Sequence, residues 1–341
     1  LDESEVRAHA LRAREAFSSA AARHGVAARV YYAGKAFLST EVVRWVTDAG
    51  LAVDVASGGE LAVAVAAGAD PARIGVHGNN KSVAELEQAV AIRVGSIVVD
   101  SFQEIERLAA VAEAAGVVQP VLIRVNSGVH AETHDFLATA HEDQKFGFTL
   151  ADAALAAARV REIAGLRLIG LHCHIGSQIF GTAGFAESAA RIVGLYADLQ
   201  GGTDAAEDLR VLNLGGGFPA FYGEAIEPPE TYAADVMAMV EPRFPGASRV
   251  MAEPGRGLVA EAGMIAAEVL LVSRKAEDDL CRWVYLDIGR FSGLAETEGE
   301  AIRYQFVTDR DHEPTGPCIL AGPSCDSADV LYEKRPVALP L

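Results

Sequence analysis

Cysteine is scarce in this chain: four in 341 residues, at Cys173, Cys281, Cys318 and Cys325. They show no paired metal-ligand spacing and are too few for a disulfide scaffold, so reduced thiols in a cytosol are expected. Basic charge is short as well. Lys and Arg number 29 against 47 Asp and Glu, a formal net charge of −18, which works against nucleic acid or an anionic membrane as partner and favours a cationic ligand. No apolar run reaches membrane-spanning length and no signal peptide opens the chain. An initiating Met is missing too. The first residue is Leu1, and Pro336 to Leu341 stops in what reads as mid-strand, so the sequence is expected to be a fragment.

What is present is apolar and glycine-rich: 50% hydrophobic residues and 33 Gly, enough to bury one large core and a smaller one. Leu1 to His24 carries Val6, Ala10, Leu11, Ala16 and Phe17 at helical spacing and ends at Gly25. Eight short strand-like runs follow: Val30–Ala33, Ala52–Val55, Ile74–His77, Ser96–Val99, Val121–Val125, Leu168–His174, Val211–Leu214 and Arg249–Ala252. Ala- and Leu-rich helical segments separate them. Such alternation is the pattern of parallel βα units, and eight of them predict a TIM-like (β/α)8 barrel, with an open doubly wound sheet as the alternative. After Gly257 the runs become strand-rich, at Met264–Val272, Arg282–Asp287, Ala301–Val307 and Pro317–Ala321, and alternate as in an antiparallel sheet. The division expected is residues 1–260 for the barrel and 261–341 for an incomplete β domain.

Barrel enzymes work at the C-terminal ends of their strands, so the residues that follow each strand are the candidates. The first run, Tyr31-Tyr32-Ala33-Gly34-Lys35, carries a lysine to the edge of the core, where an ammonium is solvated, paired or used as a Schiff-base amine. Gly215-Gly216-Gly217 follows the seventh run, where it is a tight turn or a phosphate cradle, and Gly255-Arg256 follows the eighth. Glu253 ends that eighth run and needs a partner, either Arg256 or the protonated ring nitrogen of a cofactor such as PLP. His172 and His174 lie at i, i+2. That spacing fits a metal, and with it a hydrolase, or else a ring stacked on a cofactor, or a core histidine. Ser324-Cys325-Asp326-Ser327 places a thiol beside a carboxylate, a possible proton donor. Asp287 and Asp326 are candidates for gripping a ligand ammonium. Gly128 to Thr149, with three histidines, is long enough for a lid.

In order along the chain stand YYAGKAF at 31–37, HGNNKS at 77–82, HEDQKFGF at 141–148, GLHCHIGSQ at 170–178, LNLGGGF at 212–218, AEPGR at 252–256 and CDSADVL at 325–331. Together they resemble the barrel-type, alanine-racemase-like PLP decarboxylases, the family of diaminopimelate and ornithine decarboxylases, over nearly the whole chain. The resemblance implies that Lys35 carries pyridoxal 5'-phosphate and that His174 stacks on its ring. Ser177, Gly216, Gly217, Gly255 and Arg256 would hold the phosphate and Glu253 the pyridine nitrogen, with Asp54 and Arg124 as supporting polar groups. It further implies that Cys325 returns a proton and Asp326 binds the distal substrate ammonium, both reaching into the partner's site in a homodimer. Cys325-Asp326 speaks for a decarboxylase over a racemase, whose second base is often a tyrosine.

The two halves resemble different members. Residues up to about Gly217, the 130–148 segment included, look like diaminopimelate decarboxylase. From Phe218 onward, FPAFYGE, YLDIGRFSGLAET, EAIRYQF and GPSCDSADVL look more like bacterial ornithine or lysine decarboxylases. The diaminopimelate enzymes usually have Cys-Glu-Ser where this chain has Cys325-Asp326-Ser327. The expectation is decarboxylation of meso-diaminopimelate to L-lysine, with L-ornithine or L-lysine as alternative substrate. The family usually continues past this chain's last residue and supplies a tyrosine near the cofactor, so weaker cofactor binding than in a complete member is expected.

Overall fold

The computed structural model describes residues 1–129, 145–200, 209–240 and 249–341. Eight strands run through its first part: β1 (Ala27–Ala33), β2 (Ala52–Val55), β3 (Ile74–Val76), β4 (Ser96–Val99), β5 (Gln119–Arg124), β6 (Leu166–His172), β7 (Val211–Asn213) and β8 (Arg249–Ala252). Each pairs in parallel with the next, and β1 closes on β8 with Val30 opposite Ala252, which rules out the open-sheet alternative. Before the barrel lies α1 (Glu3–Arg23), which Asp2 caps by accepting from the Ser4 and Glu5 N–H groups. One helix separates each pair of strands: α2 (Thr40–Asp48), α3 (Gly58–Ala66), α4 (Val83–Ala91), α5 (Phe102–Ala115), α6 (Leu150–Glu162), α7 (Ala183–Gln200) and α8 (Pro229–Val240). A single turn, α9 (Arg256–Val259), follows β8.

The short strand-to-helix connections have a common local cause. Ser39, Ser57, Ser82 and Ser101 each accept a backbone N–H from the first turn of the following helix, so the chain turns back within a few residues of the strand end, and Thr149 caps α6 in the same way after a longer connection. Strands β2, β3 and β4 are buried at every position, as expected of parallel strands covered on both faces. Inside the barrel Tyr31, Ala52, Val98, Leu122, Val211 and Met251 pack together, leaving the interior filled.

Contacts divide the chain into two units, the barrel with its helices through Gly263 and a second unit of residues 264–341 together with Tyr222–Ala225. The second unit holds β9 (Val269–Ser273), β10 (Arg282–Leu286), β11 (Thr315–Ala321) and β12 (Val337–Pro340) in the order β12-β11-β10-β9. This sheet is mixed, not antiparallel throughout, because β10 and β11 run parallel. Ala301–Val307, expected as a strand, is irregular. The Tyr304 N–H donates to the buried hydroxyl of Tyr332, which itself donates to the Ile302 carbonyl, so a side chain satisfies backbone groups that a neighbouring strand would otherwise take.

Candidate active site

Lys35 stands in a 3-10 turn, Gly34–Ala36, directly after β1, and is exposed. The turn is held on both sides. The Ala33 N–H donates to the Pro254 carbonyl at 3.1 Å, and the Tyr32 hydroxyl donates to the Phe37 carbonyl at 2.5 Å. A Cβ on Gly255 would lie 3.0 Å from that of Ala33 and 3.1 Å from that of Ala36, so the loop after β8 presses against the lysine's turn.

That loop belongs to a glycine cradle. A Cβ on Gly216 would come within 2.3 Å of the Glu253 carbonyl oxygen, and one on Gly217, whose φ is +105°, within 2.5 Å of the Gly176 carbonyl oxygen. Neither position admits a side chain, and on the same rim the Arg256 guanidinium donates to the Ser177 hydroxyl at 3.2 Å. Small backbone, a hydroxyl and a guanidinium are the donor set of a phosphate site.

Beside the cradle the Gly216 N–H donates to His174 Nδ1 at 3.2 Å, fixing the proton of a neutral ring on Nε2. Burial, then the nearby Lys35 and Arg124 cations, hold the pKa of His174 well below the usual histidine range, so the ring is neutral. Across β6, β7 and β8 lies Glu253, 5% exposed. Burial would raise its pKa, but His77 and His172 outweigh that and hold it well below the usual carboxylate range. His172 Nε2 lies 3.2 Å from Oε2, while His77 Nε2 at 3.0 Å and Asn213 Nδ2 at 2.5 Å meet Oε1. His172 and His174 thus answer to different partners, Glu253 and Gly216, and do not act as the chelating pair the HxH spacing allowed.

Asp54, at the end of β2, lies 3.6 Å from His77 Nε2, and burial pushes its carboxyl up to about 7. Arg124, at the end of β5, rests over the Phe146 ring at 4.1 Å, with Asp100 3.9 Å from its Nε. Asp100 in turn accepts the Gly147 N–H at 2.8 Å. Lys81, from the motif at 77–82, serves the scaffold, because its ammonium donates to the Gly78 and Val98 carbonyls and to Glu104, each at 2.6 Å. Most of the segment expected to form a lid, residues 130–144, lies outside the described residues.

In the second unit Cys325 and Asp326 are exposed on a loop pinned by Asp329, which is 2% exposed. Asp329 accepts the N–H groups of Ser324 at 3.0 Å and Arg290 at 2.7 Å. Asp326 accepts from the Ala328 N–H at 2.8 Å. Asp287 is tied to Glu268, accepting its N–H at 2.9 Å, and is exposed at the end of β10.

Sequence reasoning did not single out His77 as a partner of Glu253, nor Asn213, Asp100 or Asp329. Their signal was position alone: the first three follow or end a barrel strand.

A closed parallel barrel bearing an amine, a glycine cradle with a hydroxyl and a guanidinium, and a buried carboxylate on one rim has the features of a phosphate-cofactor enzyme of the barrel class. The comparisons agree. Residues 3–260 match the family model described as pyridoxal-dependent decarboxylase, pyridoxal binding domain. The chain is 43% identical over 327 residues to diaminopimelate decarboxylase of Mycobacterium leprae, covering 91% of this chain and 69% of that protein. Among solved structures, diaminopimelate decarboxylase from Helicobacter pylori complexed with L-lysine superposes with a TM-score of 0.86 at 26% identity, over 100% of this chain and 81% of that one. Lysine/ornithine decarboxylase complexed with cadaverine from Vibrio vulnificus gives 0.82 at 25% identity, over 100% and 84%. The chain belongs to the pyridoxal-dependent decarboxylase family, and its cofactor is pyridoxal phosphate.

Proposed function

We propose that this enzyme removes the α-carboxylate of meso-diaminopimelate to give L-lysine and CO2, working as a homodimer in the cytoplasm. The observation that carries the reading is the convergence of Lys35, His174, Glu253 and the glycine cradle on one barrel rim. Likeness to diaminopimelate decarboxylases along 91% of the chain supports this substrate. One observation favours a second reading, L-ornithine or L-lysine: Asp326 stands where the diaminopimelate enzymes usually have glutamate, one methylene longer.

The residues present fit the cofactor. Lys35 would hold it through its amine, Ser177, Gly216, Gly217, Gly255 and Arg256 through its phosphate, and Glu253 through its ring nitrogen. His174 would lie against the ring, and Asp54 and Arg124 would flank it. When bound, pyridoxal phosphate supplies an electron sink for the pair left on Cα as the bond to the carboxylate breaks and CO2 departs. Glu253 is already ionised and hydrogen-bonded, so the charge that favours this sink needs no rearrangement during the reaction. The neutral ring of His174 adds no positive charge beside Lys35 and Arg124. Lys35 or Cys325 would return one proton to Cα. Asp326, with Asp287 as the other candidate, would hold the far ammonium of the substrate.

The dimer would bring Cys325 and Asp326 of one copy to the barrel of the other. Val269, Leu270, Leu271 and Val272 of β9 are 47–56% exposed, an apolar edge that a second copy would cover. All four cysteines are free, in keeping with a reducing compartment. Among the described residues no helix is long and apolar enough to cross a membrane.

The test is CO2 release from meso-diaminopimelate, L-ornithine and L-lysine with pyridoxal phosphate present. Release from meso-diaminopimelate, lost in Lys35→Ala, is expected. Release from ornithine or lysine instead would assign the second reading, and none from any of the three would refute both.

A further inference from the structure

His77 has no part in the reaction derived above, yet it occupies the middle of a buried charged cluster. It follows β3, where its N–H donates to the Val55 carbonyl at 2.8 Å. Its Nε2 lies 3.0 Å from Glu253 Oε1 and 3.6 Å from Asp54 Oδ1, and the three side chains are each within a tenth of full burial. His172 meets the other oxygen of Glu253, and its ring stands edge-on to that of His77 with centroids 5.0 Å apart. Other charged groups act on the cluster from Lys35 after β1, Glu60 on α3 and Arg124 on β5.

We propose that His77 is a positioning residue: an imidazolium wedged between Asp54 and Glu253, it keeps Glu253 ionised and in place for the cofactor's ring nitrogen. This rests on the functional reading above. The charge arithmetic supports it. Burial by itself would drive the proton off His77, but Asp54 and Glu253 together outweigh burial and raise its pKa. Burial drives His172 down to about 4, so that ring is neutral and gives Glu253 a hydrogen bond without a charge. Asn213 likewise donates without charge. Among the described residues, His77 is thus the one histidine on Glu253 that brings a cation.

Without that cation Glu253 stands buried with no charge opposite its own, and its proton affinity rises. Asp54, whose carboxyl is already pushed up to about 7, takes the first proton, and Glu253 follows as the pH falls further. A protonated Glu253 cannot receive a charged ring N–H, so the cofactor then loses that anchor. The sign follows: removing the cation raises the proton affinity of Glu253, and the fall in cofactor affinity on acidification moves to higher pH.

The experiment measures the dissociation constant of pyridoxal phosphate by equilibrium dialysis from pH 4 to pH 8.5, for the wild-type chain, His77→Asn, His77→Gln and Asp54→Asn. His77→Asn is expected to shift the acid limb upward by about one pH unit, which weakens binding up to about tenfold on that limb and leaves it little changed at pH 8, since one unit of pKa is tenfold in equilibrium. Asp54→Asn, at a carboxyl pushed up to about 7 and so already neutral on that limb, is expected to leave it in place. His77→Gln is expected to move the limb as His77→Asn does, which keeps the proposal testable where His77→Asn fails to fold by circular dichroism. An unshifted limb in the folded His77 variant, or equal weakening at every pH, overturns the proposal and leaves the functional reading standing. Failure of the wild-type chain to bind pyridoxal phosphate at any pH overturns both.

Discussion

Gly216 has no room for a side chain. A methyl group there would sit 2.3 Å from the Glu253 carbonyl oxygen, which is backbone and cannot swing aside. Gly216→Ala therefore forces the ends of β7 and β8 apart and carries Glu253 with them. The expected cost is about 1–3 kcal/mol of stability, together with a large loss of pyridoxal phosphate affinity. Urea unfolding and cofactor titration check both, against Gly181→Ala, where an added methyl meets nothing within 4 Å and neither quantity should change. At this scale the sequence was readable where chemistry and position coincided. A lysine at a strand end and three successive glycines after another stood out. His77 did not, because its meaning lies in Asp54 and Glu253, which β2 and β8 bring to it from far along the chain.

The strands themselves follow from short apolar runs alternating with helical periods, and Ser caps turn the connections after β2, β3 and β4 tightly. Periodicity placed most strand ends within a residue or two of where they lie. It failed at Ala301–Val307, where the apolar alternation was genuine but Tyr332 supplies the hydrogen bonds from a side chain. The spacing of His172 and His174 left three readings open for a related reason: β6 ends at His172, and His174 meets a partner of its own beyond the strand. Between elements, the buried pair of Lys81 and Glu104 ties the loop after β3 to β4 and α5. Lys81→Met leaves the Glu104 carboxylate buried without its cation, and is expected to destabilise the barrel by about 3–5 kcal/mol. Adding Glu104→Leu should return a large part of that loss in a denaturant titration; no recovery would show that the lysine's carbonyl contacts matter more than the ion pair.

For the molecule as a whole, a net charge of −18 coexists with a rim where Lys35, Arg124 and Arg256 gather, so a phosphorylated cofactor finds local cations inside a chain that would otherwise repel it. Fold and cofactor were legible because motifs spread over a full barrel constrain one another. The substrate was not, because it is read by a few groups such as Asp326, where one methylene separates the alternatives. The central claim, that this rim holds pyridoxal phosphate on Lys35, is tested most directly by borohydride reduction of the cofactor-loaded chain followed by peptide mass mapping. The account predicts a single phosphopyridoxyl group on the peptide containing Lys35, absent from Lys35→Ala. A label on Lys81 or another lysine, or none on a chain that still releases CO2, would contradict it.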